Sequence, residues 1–138
     1  MAKVYIPTAL RILIAQRANF RCEYCLIHQD DTPFTHSIDH IIALKHGGAT
    51  IAENTALACI DCNRHKGSDL TAIDPISNQI VRVFDPRNQQ WHDHFYLDGA
   101  TILGMSATGR ATVIMLRLND PMRVLERSFL IEVGRYPI

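Results

Sequence analysis

The sequence contains no run of apolar residues that approaches the roughly 18 needed for a membrane-spanning helix. Its first seven residues lack the long apolar core of a secretory signal. It also has no excess charge of one sign, because 14 Lys and Arg residues balance 14 Asp and Glu residues. A membrane span and a uniformly basic nucleic-acid coat are therefore excluded. We expect a cytoplasmic protein that meets a polyanion only through a local basic surface or a metal ion.

Cysteine is absent from the second half of the chain. All four cysteines lie between Cys22 and Cys62, and five of the seven histidines lie between His28 and His65. The length of 138 residues suits one domain or a small domain with an extension, and a hydrophobic fraction of 47% is ordinary for a folded protein. We therefore expect one folded unit whose chemistry is concentrated in its first half.

The spacing of apolar residues and turn formers predicts an α+β fold. Asp98-Gly99 between two apolar segments is the strongest hairpin signal in the chain. The predicted elements are a helix over 8–18, a strand over 34–42, a short helix over 63–70, a strand over 80–84, hairpin strands over 94–97 and 101–103, and helices over 108–118 and 121–133.

The cysteines form two identical Cys-x2-Cys pairs, Cys22 with Cys25 and Cys59 with Cys62. Each pair turns back on itself and can direct two thiolates at a common tetrahedral ion. Two disulfides or four buried free thiols are the alternatives. A chain without an export signal does not favour disulfides, and scattered core cysteines rarely fall into two equal pairs. The pattern predicts a structural zinc with no open coordination position.

A carboxylate and an imidazole lie side by side between these pairs, in Asp39-His40. Asp39 can bind a hard divalent cation, which leaves the imidazole of His40 free to accept a proton. In a regular strand the two side chains point to opposite faces, so a shared site requires the strand to bend near His40.

Several motifs in this segment together resemble those of the HNH endonuclease family, in the subgroup braced by a four-cysteine zinc. The motifs are Asp39-His40-Ile41, Gly47-Gly48, Asn54 and Cys59-x2-Cys62-Asn63-x2-Lys66-Gly67. The resemblance covers about residues 6–74 and implies a ββα-metal (His-Me finger) core within residues 1–74. Residues 75–138 look like the C-terminal strand-hairpin-helix extension of small bacterial, especially cyanobacterial, HNH proteins.

The resemblance also implies a role for each matching residue. His40 corresponds to the general base that deprotonates the attacking water, and Asp39 to the carboxylate ligand of a catalytic Mg²⁺ or similar ion. Asn54 corresponds to the asparagine whose amide orients the loop that presents the base. Asn63 lies where the family often has its final histidine, so the chain resembles an HNN variant. An amide ligand favours Mg²⁺ or Mn²⁺ more than an imidazole does. The family implies cleavage, usually of DNA, that leaves 5′-phosphate and 3′-hydroxyl ends.

Two assignments around this motif remain open. His65 can replace Asn63 as the ligand, although positions 63 and 66 share a helix face and positions 63 and 65 do not, which favours Asn63. Arg64 and Lys66 either contact phosphates flanking the scissile bond or form a solvated helix face.

The arginines near the C-terminus are a separate question. Arg123 and Arg127 share a helix side, but Glu126 and Glu132 interleave with them. A surface with ion pairs is the simpler expectation for this helix.

The sequence therefore predicts a metal-dependent HNH endonuclease that contains a structural zinc and uses a catalytic Mg²⁺ or Mn²⁺. The alternative is a non-catalytic zinc-binding module that recognises nucleic acid or protein. A bare zinc module has no need of Asp39-His40, Asn54 and Asn63 together, which favours the enzyme. A hydrolase of another phosphodiester would use the same residues, and the sequence does not indicate an oligomeric state.

Overall fold

The structure, a computed structural model, describes residues 5–137. Residues 1–4 and residue 138 lie outside this range. They include the outer bounds of the predicted division and part of the N-terminal segment for which the sequence predicts no secretory signal. In chain order the elements are α1 (Thr8–Arg17), β1 (Ser37–His40), β2 (Thr55–Ala58), α2 (Ile60–Lys66), β3 (Thr71–Ile73), β4 (Ile80–Arg82), α3 (Trp91–His94), β5 (Phe95–Asp98), β6 (Thr101–Gly104), α4 (Ala107–Met115) and α5 (Pro121–Glu132). Within the described range, no helix is both long and apolar enough to cross a membrane.

The predicted α+β class is confirmed, with three two-stranded antiparallel sheets among the described residues. β1 pairs with β2 in a register that sets Ser37 opposite Ala58 and His40 opposite Thr55. One residue, Cys59, separates β2 from α2. Residues 37–66 therefore form a ββα unit, in agreement with the predicted HNH core.

The strand predicted over 34–42 is shorter than expected and ends at His40. Ile41 N still donates to Asn54 O, but the next backbone groups, Ile42 N and Ile42 O, bond to the side chain of Asn54. A side-chain amide thus takes the place of a strand partner, and the chain leaves the sheet there.

The helix predicted over 63–70 begins earlier, at Ile60, and ends at Lys66. The thiol of Cys59 acts as its N-cap by accepting from Cys62 N. Gly67 follows with a positive φ of 51°, a conformation that favours glycine and ends the helix. The sequence prediction missed this start because cysteine is not among the usual N-cap residues.

The predicted hairpin is confirmed as β5 and β6, and its two-residue loop is Gly99-Ala100 because Asp98 pairs with Thr101. β4 has a partner that the sequence prediction missed, the three-residue strand β3. The two C-terminal helices are also confirmed, each slightly shorter than predicted.

One buried cluster joins the ββα unit to the rest of the chain. It contains the four cysteines together with Phe84, Trp91, Phe95, Ile102, Leu116 and Leu118. Two polar contacts accompany this packing: Trp91 Nε1 donates to Tyr24 O at 2.8 Å, and Tyr136 Oη donates to Cys25 O at 2.7 Å. The first Cys-x2-Cys turn is therefore held from outside by residues of the C-terminal half.

Candidate functional site

The four cysteines meet at one point in the interior. Their Sγ atoms all lie within 4.8 Å of one another, all four side chains are buried, and none forms a disulfide. Cys25 Sγ and Cys59 Sγ are 3.7 Å apart. The edge of a tetrahedron with Zn–S bonds of about 2.3 Å is about 3.8 Å, so this separation suits a shared ion.

The surroundings of the sulfurs also suit a cation. Cys25 N donates to Cys22 Sγ and Cys62 N donates to Cys59 Sγ, each at 3.4 Å. Burial raises the pKa of the Cys22 and Cys62 thiols, because a thiolate there would lose its hydration. These thiols would give up their protons to a metal ion, which replaces the lost hydration with direct coordination. The cluster therefore fits a four-thiolate metal centre.

A second site lies in the loop between β1 and β2, where Asn54 holds the loop closed. Asn54 Oδ1 accepts from Ile42 N at 2.9 Å, and Nδ2 donates to Ile42 O at 3.0 Å and to Ala49 O at 2.8 Å. A Cβ added to Gly48 would lie 1.7 Å from Ile42 O and 2.8 Å from Asn54 Nδ2. The backbone can approach this closely only with glycine at position 48.

His40 lies at the last position of β1, immediately before this loop, and is half-buried. Its Nε2 is 3.0 Å from Thr50 Oγ1, within the same loop. The loop that Asn54 closes therefore carries the hydroxyl group that orients the imidazole. Sequence reasoning missed Thr50, since no spacing rule connects it to His40.

Asp39 points the other way, into the interior, and is 3% exposed. Its Oδ2 accepts from Tyr24 Oη at 2.6 Å, and its Oδ1 accepts from Lys66 Nζ at 3.1 Å. Burial raises the pKa of Asp39, and the opposing effects of Lys66 and Tyr24 do not fully offset it. β1 is regular as far as His40, so the Asp39 and His40 side chains lie on opposite faces of the strand, and the chain leaves the strand directly after His40.

Lys66 is 2% exposed, which corrects the prediction that it contacts phosphate. Besides Asp39, its ammonium group donates to His40 O and Ile41 O, both at 3.2 Å. Lys66 therefore holds the backbone at the end of β1, including that of His40, from the inside. The sequence predicts either a phosphate contact or a solvated helix face for Lys66, and neither alternative includes a buried ammonium group.

A divalent ion would not find a free carboxylate at Asp39 in this arrangement, since both oxygens already accept hydrogen bonds. Among residues 5–137, the four cysteines are the one group of three or more His, Cys, Asp or Glu side chains placed to share an ion. The assignment of Asp39 as an ion ligand stays a prediction, and it requires Lys66 to share or release Oδ1.

The remaining predicted residues lie on α2. Asn63 is half-buried and Arg64 is exposed, with Arg64 Nη2 3.4 Å from Asp61 Oδ1 in a surface ion pair. Burial lowers the pKa of His65, and Arg117, Arg64 and Arg123 lower it further. The imidazole of His65 is therefore exposed to positive charge, part of it from Arg117 and Arg123 of the C-terminal half. This environment does not favour His65 over Asn63 as the ligand of a catalytic cation.

Replacing Asn54 with Asp tests the loop closure. The new carboxylate can still accept from Ile42 N, but it cannot donate to Ile42 O or Ala49 O. It also places a negative charge near these two oxygens. We expect a loss of about 1–3 kcal/mol, at about 0.5–1.5 kcal/mol for each of the two hydrogen bonds removed. Chemical denaturation measures it, and hydrogen exchange should accelerate between residues 42 and 54. Glu53→Gln, the opposite exchange at the exposed neighbouring position, is the control. Unchanged exchange in Asn54→Asp would contradict the assigned role.

The segment that contains this site also matches a known protein family. Residues 22–69 match the family model described as HNH endonuclease. The match runs from the first cysteine pair to just beyond α2 and so includes the whole ββα unit and all four cysteines. HNH endonucleases act on nucleic acid, so the match implies nuclease activity at the level of the family. A search of the curated proteins found no matching relative.

Proposed function

We propose that this protein, whose residues 22–69 match the HNH endonuclease model, is a metal-dependent endonuclease with DNA as its substrate. The proposal is carried by the half-buried imidazole of His40, which bonds to Thr50 in a loop closed by Asn54. A zinc module that only binds would not need an oriented imidazole beside an amide-closed loop. The same geometry serves a hydrolase of other phosphodiesters, which a panel of substrates distinguishes.

His40 acts as the general base in this proposal. When its Nε2–H donates to Thr50 Oγ1, the lone pair lies on Nδ1, and this atom accepts the proton of the attacking water. The water oxygen bonds to phosphorus, and the bond from phosphorus to the 3′ oxygen breaks. The 3′ oxygen leaves and takes up a proton from solvent water, and His40 returns its proton to solvent, which gives 5′-phosphate and 3′-hydroxyl ends. Thr50 and Asn54 orient the imidazole through the loop, and Lys66 holds its backbone carbonyl.

The metal at the four cysteines is zinc in this proposal, and its role is structural. Four thiolates fill a tetrahedral coordination shell and leave no position for water or substrate. The separation of 3.7 Å between Cys25 Sγ and Cys59 Sγ supports this choice.

Asp39 and Asn63 are the proposed ligands of a second ion, Mg²⁺ or Mn²⁺. When bound, this ion would supply positive charge to the scissile phosphate. In this proposal the Asp39 carboxylate binds the ion when Lys66 shares or releases Oδ1. In the same proposal Arg64, whose guanidinium is exposed, contacts a flanking phosphate.

Purified protein incubated with supercoiled plasmid, linear duplex, single strand and RNA, in Mg²⁺, Mn²⁺ or EDTA, tests the activity. We expect metal-dependent nicking of the plasmid, and a loss of at least ~10² in rate for His40→Ala because the base is removed. His46→Ala, an exposed histidine in the same loop, is the matched control and should keep its rate.

Three outcomes would overturn the proposal. Binding without cleavage in every metal would favour the interaction module. Full activity in His40→Ala would exclude His40 as the base. Equal losses in His40→Ala and His46→Ala would point to disruption of the loop rather than of the chemistry.

A further inference from the structure

Arg123 brings a positive charge from α5 into contact with the cysteine cluster. Its Nη2 lies 3.0 Å from Cys62 Sγ and 3.7 Å from Cys59 Sγ, and the side chain is 8% exposed. Arg123 therefore does not form the surface ion pairs that the sequence predicts for this helix. The guanidinium lies inside the fold and donates to sulfur.

The position of this guanidinium is fixed independently of the sulfurs. Arg123 Nη1 donates to Leu116 O at 2.8 Å and to Arg117 O at 3.2 Å, at the C-terminal end of α4. These carbonyl groups have no partner within α4, because the helix ends there. Arg123 thus uses one nitrogen to cap α4 and directs the other at the cysteines.

The charge of the centre explains why such a donor is useful. Four thiolates around a doubly charged ion carry a net charge of −2 in a buried environment, where charge is costly. Within residues 5–137, the other N–H donors to these sulfurs are the backbone amides of Cys25 and Cys62, which carry no net charge. Arg123 is the one cationic side chain that donates to them in that range. Arg123 supplies a permanent positive charge at this position, because arginine is effectively always protonated in proteins.

We propose that Arg123 is a positioning residue of the metal centre: its guanidinium offsets the negative charge of the thiolates and so strengthens metal binding. This inference takes the ion to be zinc, as in the proposed function, but it does not depend on nuclease activity. It assigns the C-terminal part a specific task, since residues 22–69 contain the four ligands but not this cation. A chain that ends before α5 would bind the metal more weakly.

Competition with a chromophoric chelator tests the proposal by measuring the dissociation constant for Zn²⁺ in full-length protein. Arg123→Met keeps an unbranched apolar stem and removes the guanidinium group, with its charge and its N–H donors. We expect its zinc affinity to fall about 10–100-fold, the usual effect of losing a hydrogen-bond partner of a metal ligand. Arg123→Lys, which keeps the charge but not the planar fork, should retain part of the affinity.

Arg127→Met is the matched control, one turn further along α5. Arg127 is also buried, but it donates to Ala100 O, Leu118 O and Asn119 Oδ1 rather than to sulfur. We expect this variant to lower the melting temperature with zinc and without it, and to leave the zinc-induced rise unchanged. In Arg123→Met we expect the zinc-induced rise itself to shrink.

Substitution of Co²⁺ for zinc gives a second measurement, which a purely structural role would not alter. The sulfur-to-cobalt charge-transfer band should move to longer wavelength in Arg123→Met and Arg123→Lys, because the sulfur lone pairs lose a hydrogen bond that lowers their energy. Arg127→Met should keep the wild-type band. If Arg123→Met does not fold, the affinity and band of Arg123→Lys decide the question.

Unchanged zinc affinity and an unchanged cobalt band in the Arg123 variants would overturn the inference, whatever the nuclease assay shows. So would a wild-type chain that binds neither Zn²⁺ nor Co²⁺. Loss of cleavage with the expected metal affinities would contradict the proposed function and leave this inference intact.

Discussion

Removal of the metal from the four-cysteine centre should abolish the cooperative unfolding transition of this protein. We expect purified protein to contain one zinc per chain, and a strong chelator to convert it to a state without fixed tertiary packing. The binding free energy of structural zinc in small zinc modules is about 10–16 kcal/mol. The total stability of a domain is about 5–15 kcal/mol, so the fold cannot be expected to survive the loss.

The position of the cysteines explains why the effect should reach the whole chain. They lie in the same buried cluster as Phe84, Trp91 and Leu116, which belong to the C-terminal half. Without the ion, this cluster would contain four unsupported thiols and the guanidinium of Arg123, which would have lost its anionic partner. Loss of the metal therefore disturbs the contact between the two halves, as well as the two Cys-x2-Cys turns.

Metal analysis together with circular dichroism during heating measures this prediction. Cys59→Ser should resemble chelated wild-type protein, because it removes one of the four thiolate ligands. The serine hydroxyl can still cap α2, so the loss reports on the metal. Restoration of the transition by added zinc in wild type, but not in Cys59→Ser, is the control for damage by the chelator. Protein that keeps its melting temperature in chelator, or that contains no stoichiometric metal, would contradict the prediction.

The parts of this fold that the sequence predicts are those encoded by local signals. Spacing alone identifies the two Cys-x2-Cys pairs, and Asp98-Gly99 marks the hairpin because a tight turn needs a residue that tolerates positive φ. The amide of Asn54 performs the loop closure that the resemblance to the HNH family implies. These features are predictable because neighbours within a few residues, or a dense motif, determine them.

The two arginines of α5 show what local signals do not determine. The sequence predicts Arg123 and Arg127 at the surface, because charged side chains are rarely buried without partners and two glutamates lie nearby. Both are buried. Their partners are carbonyl groups after α4 and in the β5–β6 loop, the Asn119 amide, and sulfur atoms of the cysteine cluster. Helical spacing can group these arginines on one face, but it cannot show what that face meets.

Lys66 shows the same limit at the candidate active site. Its neighbours Arg64 and His65 suggest a basic surface, yet its ammonium group bonds to two oxygens of β1 and to Ile41 O directly after it. Helical spacing places Lys66 on the face of Asn63, but it does not show that this face packs against a buried carboxylate. The division of the chain at residue 74 likewise stays a prediction.

Replacement of Lys66 with Met should destabilise the protein strongly and, at the same time, reveal whether Asp39 binds a divalent ion. The Lys66 and Asp39 side chains are 2% and 3% exposed, with Nζ and Oδ1 3.1 Å apart. Removing one partner of a buried ion pair usually costs about 3–5 kcal/mol, because the other charge stays buried without compensation. We expect a loss of this size in urea unfolding at saturating zinc.

Asp39→Asn supplies the matched comparison. Combined with Lys66→Met, it removes both charges and keeps an oxygen that can accept from Tyr24 Oη. The double variant should recover part of the stability lost in Lys66→Met, since no charge is then left unpaired. Equal stability of Lys66→Met and wild type would contradict the buried ion pair.

Added Mn²⁺ then tests Asp39 as an ion ligand. In Lys66→Met the carboxylate lacks its ammonium partner, so a divalent ion that binds Asp39 should raise the melting temperature more than in wild type. The double variant should show no such rise, because the neutral amide at position 39 is a weaker ligand. A rise of equal size in all three proteins would place the ion elsewhere and remove Asp39 from the proposed site. A rise confined to Lys66→Met would mean that Lys66 competes with the ion in the wild-type protein. The catalytic ion would then bind wild-type protein only when Lys66 shares or releases Oδ1 of Asp39.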